Sequence, residues 1–132
     1  MGFRLRTSAK TKEIFEELSK SSNLKPFALS KMAVSMSLNE STSIDEYKNA
    51  DMTGLDLQRA TVTGDFDSIY KALIEVKLER HITDEEYYPY YMKLHIDRGA
   101  ELLLKIYRYS GGNLEKLLTN LLQKGGSNIW FI

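Results

Sequence analysis

The sequence contains no cysteine and only two prolines, Pro26 and Pro89. Without thiols there is no disulfide, no zinc–thiolate site, no iron–sulfur cluster and no residue to carry a persulfide. No apolar run approaches the roughly 20 residues that a membrane-crossing helix needs. The opening MGFRLRTSAKTKE lacks the apolar stretch of a signal peptide, so the expected location is cytoplasmic. Charge of one sign is lacking as well, with 18 Lys and Arg against 18 Asp and Glu in 132 residues. A uniformly basic polyanion binder is thereby excluded.

Signatures of catalysis are also missing. There is no nucleophile elbow, no Walker loop and no Gly-rich dinucleotide fingerprint. Gly111-Gly112 and Gly125-Gly126 read as helix stops. The two histidines, His81 and His95, stand apart with no metal-ligand spacing. Asp65 and Asp67 form an acidic pair, but acids at a helix start are explained by capping. No catalytic residue, metal or cofactor is expected. A nicking activity built on Asp65, Asp67 or His95 remains the enzymatic alternative.

What is present is a helical pattern behind one short strand. Residues 3–7, Phe-Arg-Leu-Arg-Thr, alternate apolar and basic, which puts Phe3 and Leu5 on one face and Arg4 and Arg6 on the other. So short a strand needs a partner, and a second copy of the chain is one source. Thr7 or Ser8 can cap a helix over 9–22 carrying Ile14, Phe15 and Leu18. Pro26 suits the start of a second helix over 26–38, where Leu29, Met32, Ala33 and Met36 form a stripe. A polar, acidic connection over 39–63 follows, with a helical turn at 43–48. A third helix opens at Gly64-Asp65, with Phe66, Ile69, Tyr70 and Leu73 inward, and ends near His81. Thr83 and Glu86 have capping-box spacing at the head of a fourth helix that runs to about Tyr109, with Pro89 near its start. A leucine-rich helix over 114–124 and an apolar tail over 125–132 complete a single domain over 1–132. The expected fold class is all-α, a helical bundle with a ribbon–helix–helix-like strand–helix–helix start.

Charge is unevenly placed within this plan. Residues 1–38 hold seven Lys and Arg against three acids, and residues 39–58 hold five acids against Lys48. A basic segment can bind phosphate without a basic whole. The candidate DNA contacts are Arg4, Arg6, Lys10, Lys12, Lys25 and Lys31. Arginines on a two-chain ribbon can reach base edges or phosphate oxygens, and Lys25 sits where the second helix's N-terminus favours an anion. The alternative is a solvated strand whose arginines pair with Glu13, Glu16 or Glu17. The cluster Tyr87, Tyr88, Tyr90 and Tyr91 can stack on bases, although burial in a core or interface is the more frequent fate of such rings. Gly99 in mid-helix implies a close approach by a crossing helix.

Three stretches together resemble the DndE family, small subunits associated with bacterial DNA phosphorothioation: 3–38, 54–73 and 94–103. The ordered motif residues are Gly54, Asp56, Arg59, Thr61, Gly64 and Asp65, then His95, Arg98 and Gly99. The resemblance implies a non-catalytic accessory subunit that binds duplex or nicked DNA, assembles with itself as a tetramer and works beside the other Dnd proteins. Two further readings stand beside it: a protein-interaction adaptor without direct DNA readout, and a ribbon–helix–helix transcriptional regulator. Arg59 is expected to pair with Asp56 or Asp65 and pin the loop.

Overall fold

The structure, a computed structural model, describes residues 3–111. The expected leucine-rich helix and apolar tail lie outside the described residues. Strand β1 spans Arg4–Arg6, helix α1 Ala9–Ser22 and helix α2 Pro26–Leu38. A 3-10 turn, Ile44–Glu46, and strand β2, Asp56–Gln58, follow. Then come a short helix α3, Arg59–Val62, a 3-10 turn, Gly64–Phe66, and helix α4, Asp67–Leu78. The last helical run among the described residues starts as α5, Asp84–Glu86, passes through a π-helical segment, Tyr87–Met92, and continues as α6, Lys93–Tyr109. The chain is mostly helical with a short N-terminal sheet, as its patterning implies. No helix among the described residues is long and apolar enough to cross a membrane.

Local chemistry accounts for the helix ends. Ser8 accepts from Thr11 N–H at the start of α1, and Asn23 closes it in the left-handed region at φ 61°. Pro26 opens α2 at a position where its missing N–H has no partner to lose. Thr83 and Glu86 make the reciprocal capping box, Glu86 N–H donating to Thr83 Oγ1 and Thr83 N–H to Glu86 Oε1 at 2.8 Å. Pro89 cannot donate to a carbonyl one turn back, and the run widens to π geometry around it. That widening lets Tyr87, Tyr88, Tyr91 and Met92 all turn inward. Helix α4 stops at Leu78, with Glu79 at φ 60°, earlier than the stop expected near His81.

Helix α6 is the central post. α1 runs parallel to it, joined by Thr11 to Asp97 near one end and Ser21 to Tyr107 near the other. α2 runs antiparallel, with Ala33 against Gly99 and Ser37 against His95 and Arg98. A Cβ built on Gly99 would fall 1.8 Å from the Ala33 carbonyl oxygen, so the crossing helix expected at Gly99 is α2. The core centres on this three-helix contact, with Phe15, Leu29, Val34, Ile96, Ala100 and Leu103 buried.

The partner of β1 corrects the two-copy ribbon. β1 pairs antiparallel with β2 of the same chain, in register Arg4 to Gln58, Leu5 to Leu57 and Arg6 to Asp56. The pairing extends beyond the strands: Thr7 N–H donates to the Leu55 carbonyl at 2.9 Å, and Arg59 N–H to the Phe3 carbonyl at 2.7 Å. β2 lies within the stretch read as a connection, although Leu55-Asp56-Leu57-Gln58 carries the period-2 alternation of a strand. Leu5 and Leu57 form a buried cross-strand pair against the π segment, where Tyr88 Oη donates to the Leu57 carbonyl at 3.1 Å. Phe3, expected beneath the ribbon beside Leu5, is 65% exposed, although its carbonyl takes part in the pairing.

The stripe expected on α4 is also rotated. Tyr70 and Ile74 are the buried residues, whereas Phe66 and Ile69 are about half exposed and Val76 more so. The Arg59 contact to Asp67 at the head of the helix and the burial of Tyr70 and Ile74 go with this orientation.

Candidate nucleic-acid interface

The six candidate cations fall into two groups. Arg4 and Arg6 project from the outward face of β1, and Lys10 and Lys12 stand exposed on the first turn of α1. Lys25 is the N-cap of α2, at the other end of α1. A helix of 14 residues places it about 20 Å away. Lys31, half-buried on α2, holds its ammonium 5.9 Å from the centre of the Phe27 ring. The structure therefore gathers four of the six and leaves Lys25 and Lys31 on a separate part of the surface.

Their electrostatic surroundings differ. Arg4 Nη1 lies 2.8 Å from Asp56 Oδ2, diagonally across the sheet, and Lys10 Nζ lies 3.7 Å from Glu101 Oε1. These partners come from β2 and α6, not from Glu13, Glu16 or Glu17. Arg6, Lys12, Lys25 and Lys31 have no carboxylate within 4.0 Å among the described residues. Helix α2 has no side-chain cap at its start, so its N-terminal dipole faces solvent beside Lys25.

The N-terminus of α1 is already filled. Ser8 N–H and Thr11 Oγ1 both donate to Asp97 Oδ1, at 3.0 and 2.6 Å, and Ala9 N–H donates to Asp51 Oδ2 at 2.9 Å. The hydrogen bonds from Thr53 and from Ala9 N–H hold the Asp51 carboxyl below its ordinary range. Asp97 is fully buried, with Lys93 Nζ 2.8 Å from Oδ2. The N–H groups of Ser8, Ala9 and Thr11 are therefore already taken by acceptors of the protein itself.

The motif residues hold joints of the fold. A Cβ on Gly54 would fall 2.1 Å from the Ser8 carbonyl oxygen, so only glycine lets the β2 lead-in pass β1. Arg59 makes a two-point contact with Asp67, Nε at 3.0 Å and Nη2 at 2.6 Å, and reaches Asp84 at 3.5 Å. This corrects the pairing expected with Asp56 or Asp65, because α3 turns the guanidinium toward the head of α4. Thr63 and Tyr87 also donate to Asp67. Burial opposes the Asp67 charge, but the donors from Arg59, Thr63 and Tyr87 outweigh it and lower the carboxyl below its usual range. The Asp67 carboxylate is thus committed to the scaffold. No cluster of three or more potential metal ligands occurs among the described residues.

Of the tyrosine cluster, Tyr87, Tyr88 and Tyr91 are core residues and only Tyr90 is exposed. His95 is 1% exposed, its Nδ1 2.7 Å from Ser37 Oγ. Burial, with Arg98 and Lys77 nearby, lowers its pKa to about 3, so the ring is neutral.

These joints span the same stretch that a comparison with protein families recognises. The family described as DNA sulphur modification protein DndE matches residues 4–110. The chain belongs to the DndE family. Membership assigns it to DNA sulphur modification and covers every element from β1 through α6. No curated protein matched the chain in a sequence comparison. Within this DndE-family chain, Gly54, Asp56, Arg59, His95 and Gly99 are engaged in joints of the fold, Arg98 is bonded to neutral acceptors on Ser37 and Thr42, and Arg6, Lys12 and Lys25 stand exposed with no carboxylate partner among the described residues.

Proposed function

We propose that this DndE-family protein is a non-catalytic, DNA-binding accessory subunit of DNA sulphur modification, acting with other Dnd proteins and with copies of itself as a tetramer. The observation that supports DNA contact is the unpaired state of Arg6, Lys12, Lys25 and Lys31 among the described residues. Arg6, Lys12 and Lys25 give up no carboxylate when they meet a phosphate, whereas Lys31 must also leave the Phe27 ring. Arg4 and Lys10 contribute less, since each must first leave a carboxylate.

Contact of this kind is carried by phosphates and is salt-dependent, each neutralised phosphate adding about 0.9 to the slope of log K against log salt on duplex DNA. The triple substitution Arg6→Ala, Lys12→Ala, Lys25→Ala is expected to flatten that slope by roughly 2 to 3. Titrations of labelled nicked and intact duplex at several salt concentrations measure it. An unchanged slope removes this surface from the reading. Equal affinity for nicked and intact duplex of one sequence removes the preference for a nick.

The exposed apolar line of Phe66, just before α4, and Ile69 and Val76 on α4 favours a second reading, an adaptor whose partner is another protein of the system. Under that reading Ile69→Asp with Val76→Asp abolishes co-purification with a Dnd partner while DNA affinity persists.

A further inference from the structure

Where α2 ends against α6, a cleft of about 200 Å³ lies between the loop at residues 40–43 and the last turn of α4. It is smaller than the roughly 300–1,000 Å³ of pockets that hold drug-sized ligands, yet it has room for several waters at about 30 Å³ each. It fits a small ion with part of its hydration shell.

Two cations line it with no carboxylate in contact, although the Glu40 charge acts on Arg98 from a distance. Arg98 donates through Nε to Ser37 Oγ at 2.8 Å, through Nη2 to the Ser37 carbonyl at 2.6 Å and through Nη1 to the Thr42 carbonyl at 2.8 Å. All three acceptors are neutral, and two of the five guanidinium N–H groups remain. Lys77 Nζ reaches only the Glu40 carbonyl, at 3.5 Å. No carboxylate lies within 4.0 Å of either cation among the described residues. Burial pulls Arg98 below its ordinary value, the mark of a charge stripped of water without full compensation. Behind it, the His95 ring sits in the wall with no hydrogen-bond partner at Nε2 among the described residues. The charges acting on that ring are Arg98 and Lys77, both positive. Ser41 and Thr42 add exposed hydroxyls to the lining. Glu40 and Glu79 line the cleft too and oppose an anion from a distance, so binding there is weak.

We propose that this cleft is a binding site for a phosphate-type oxyanion, held by charge-assisted hydrogen bonds from Arg98 and Lys77 and by the hydroxyls of Ser41 and Thr42. The site stands apart from Arg6, Lys12 and Lys25 and does not depend on the DNA-binding reading.

The test is a titration of the full chain with inorganic phosphate at constant ionic strength, with chloride as control, followed by amide and arginine Nε–H NMR shifts. The expected result is saturable shifts at residues 40–43 and Arg98. Lys77→Gln should weaken binding at least tenfold, and Glu40→Gln should tighten it severalfold. Lys77 is exposed and outside every described ion pair, so its replacement spares the fold. Arg6→Ala with Lys12→Ala should titrate like the parent. A parallel series with dimethyl phosphate identifies the source: saturation by the diester assigns the site to a nucleic-acid backbone, and saturation by inorganic phosphate alone assigns it to a free or terminal phosphate. Absence of saturable shifts with either probe, or an unchanged titration of Lys77→Gln, overturns the proposal.

Discussion

Asp97 is the residue on which most of the N-terminal architecture converges. Its Oδ1 receives Ser8 N–H and the Thr11 hydroxyl, and its Oδ2 faces Lys93, whose ammonium also donates to the Asn49 carbonyl at 2.7 Å. One carboxylate thus ties α6 to the start of α1, and through Lys93 to the loop before β2. Asp97→Asn leaves the Lys93 ammonium buried and unpaired, and the expected loss is about 3–5 kcal/mol in urea unfolding. His95, two residues away, carries a pH effect of definite sign. Its folded pKa lies near 3, below the unfolded value of about 6.5, so the unfolded chain binds the proton first. Stability is full above the unfolded value and falls as pH drops toward the folded one. Between pH 6.5 and 5, above the carboxylate range, His95→Gln should flatten the slope of unfolding free energy against pH relative to the parent. An identical slope in both proteins would show that the ring is not held neutral.

At the scale of elements, the sheet and the π segment form one unit. β1 contributes Leu5, β2 contributes Leu57, and the π segment covers both while Tyr88 fixes the β2 carbonyl. Neither strand is stable alone at three residues, and each exists because the other and the tyrosine wall supply its hydrogen bonds and its cover. Leu5→Ala should cost about 3 kcal/mol by the cavity it leaves. Because the pairing is within one chain, that cost should be the same at low and high protein concentration in denaturant titrations. A loss that shrinks with rising concentration would return β1 to a two-chain ribbon. The in-chain pairing was legible only in part: the Phe3–Arg6 alternation is plain, but its match at 55–58 is masked by a surrounding run of acids and by its distance along the chain, Leu5 pairing with Leu57.

At the scale of the whole molecule, polar anchoring and apolar exposure are segregated. Arg59, Asp67, Asp84 and Lys71 lock one side of α4 to α3 and to the start of α5. The opposite line, Phe66, Ile69 and Val76, is left uncovered within the described protomer. Under the proposed self-assembly, Ile69→Asp with Val76→Asp should lower the solution mass measured by sedimentation while leaving the thermal midpoint of a dilute sample nearly unchanged, since surface substitutions are usually within about 0.5 kcal/mol. An unchanged mass removes this face from the assembly.

Cap residues and hydrophobic period determined, by themselves, the helices over 9–22 and 26–38, the capping box at Thr83 and the stop at Ser110-Gly111, because each is a local event decided within about one turn of chain. The ordered motifs Gly54 to Asp65 and His95 to Gly99 marked the family for the same reason: their spacing is written in one dimension. Only the tertiary structure decided which carboxylate meets which cation, since Arg4 chose Asp56 and Arg59 chose Asp67 across elements whose orientation no local signal sets. It also decided which face of α4 turns inward. That choice rests on the summed packing of Tyr70 and Ile74 and on the Arg59 clamp, and a stripe of similar hydrophobicity on both flanks cannot rank those terms in advance.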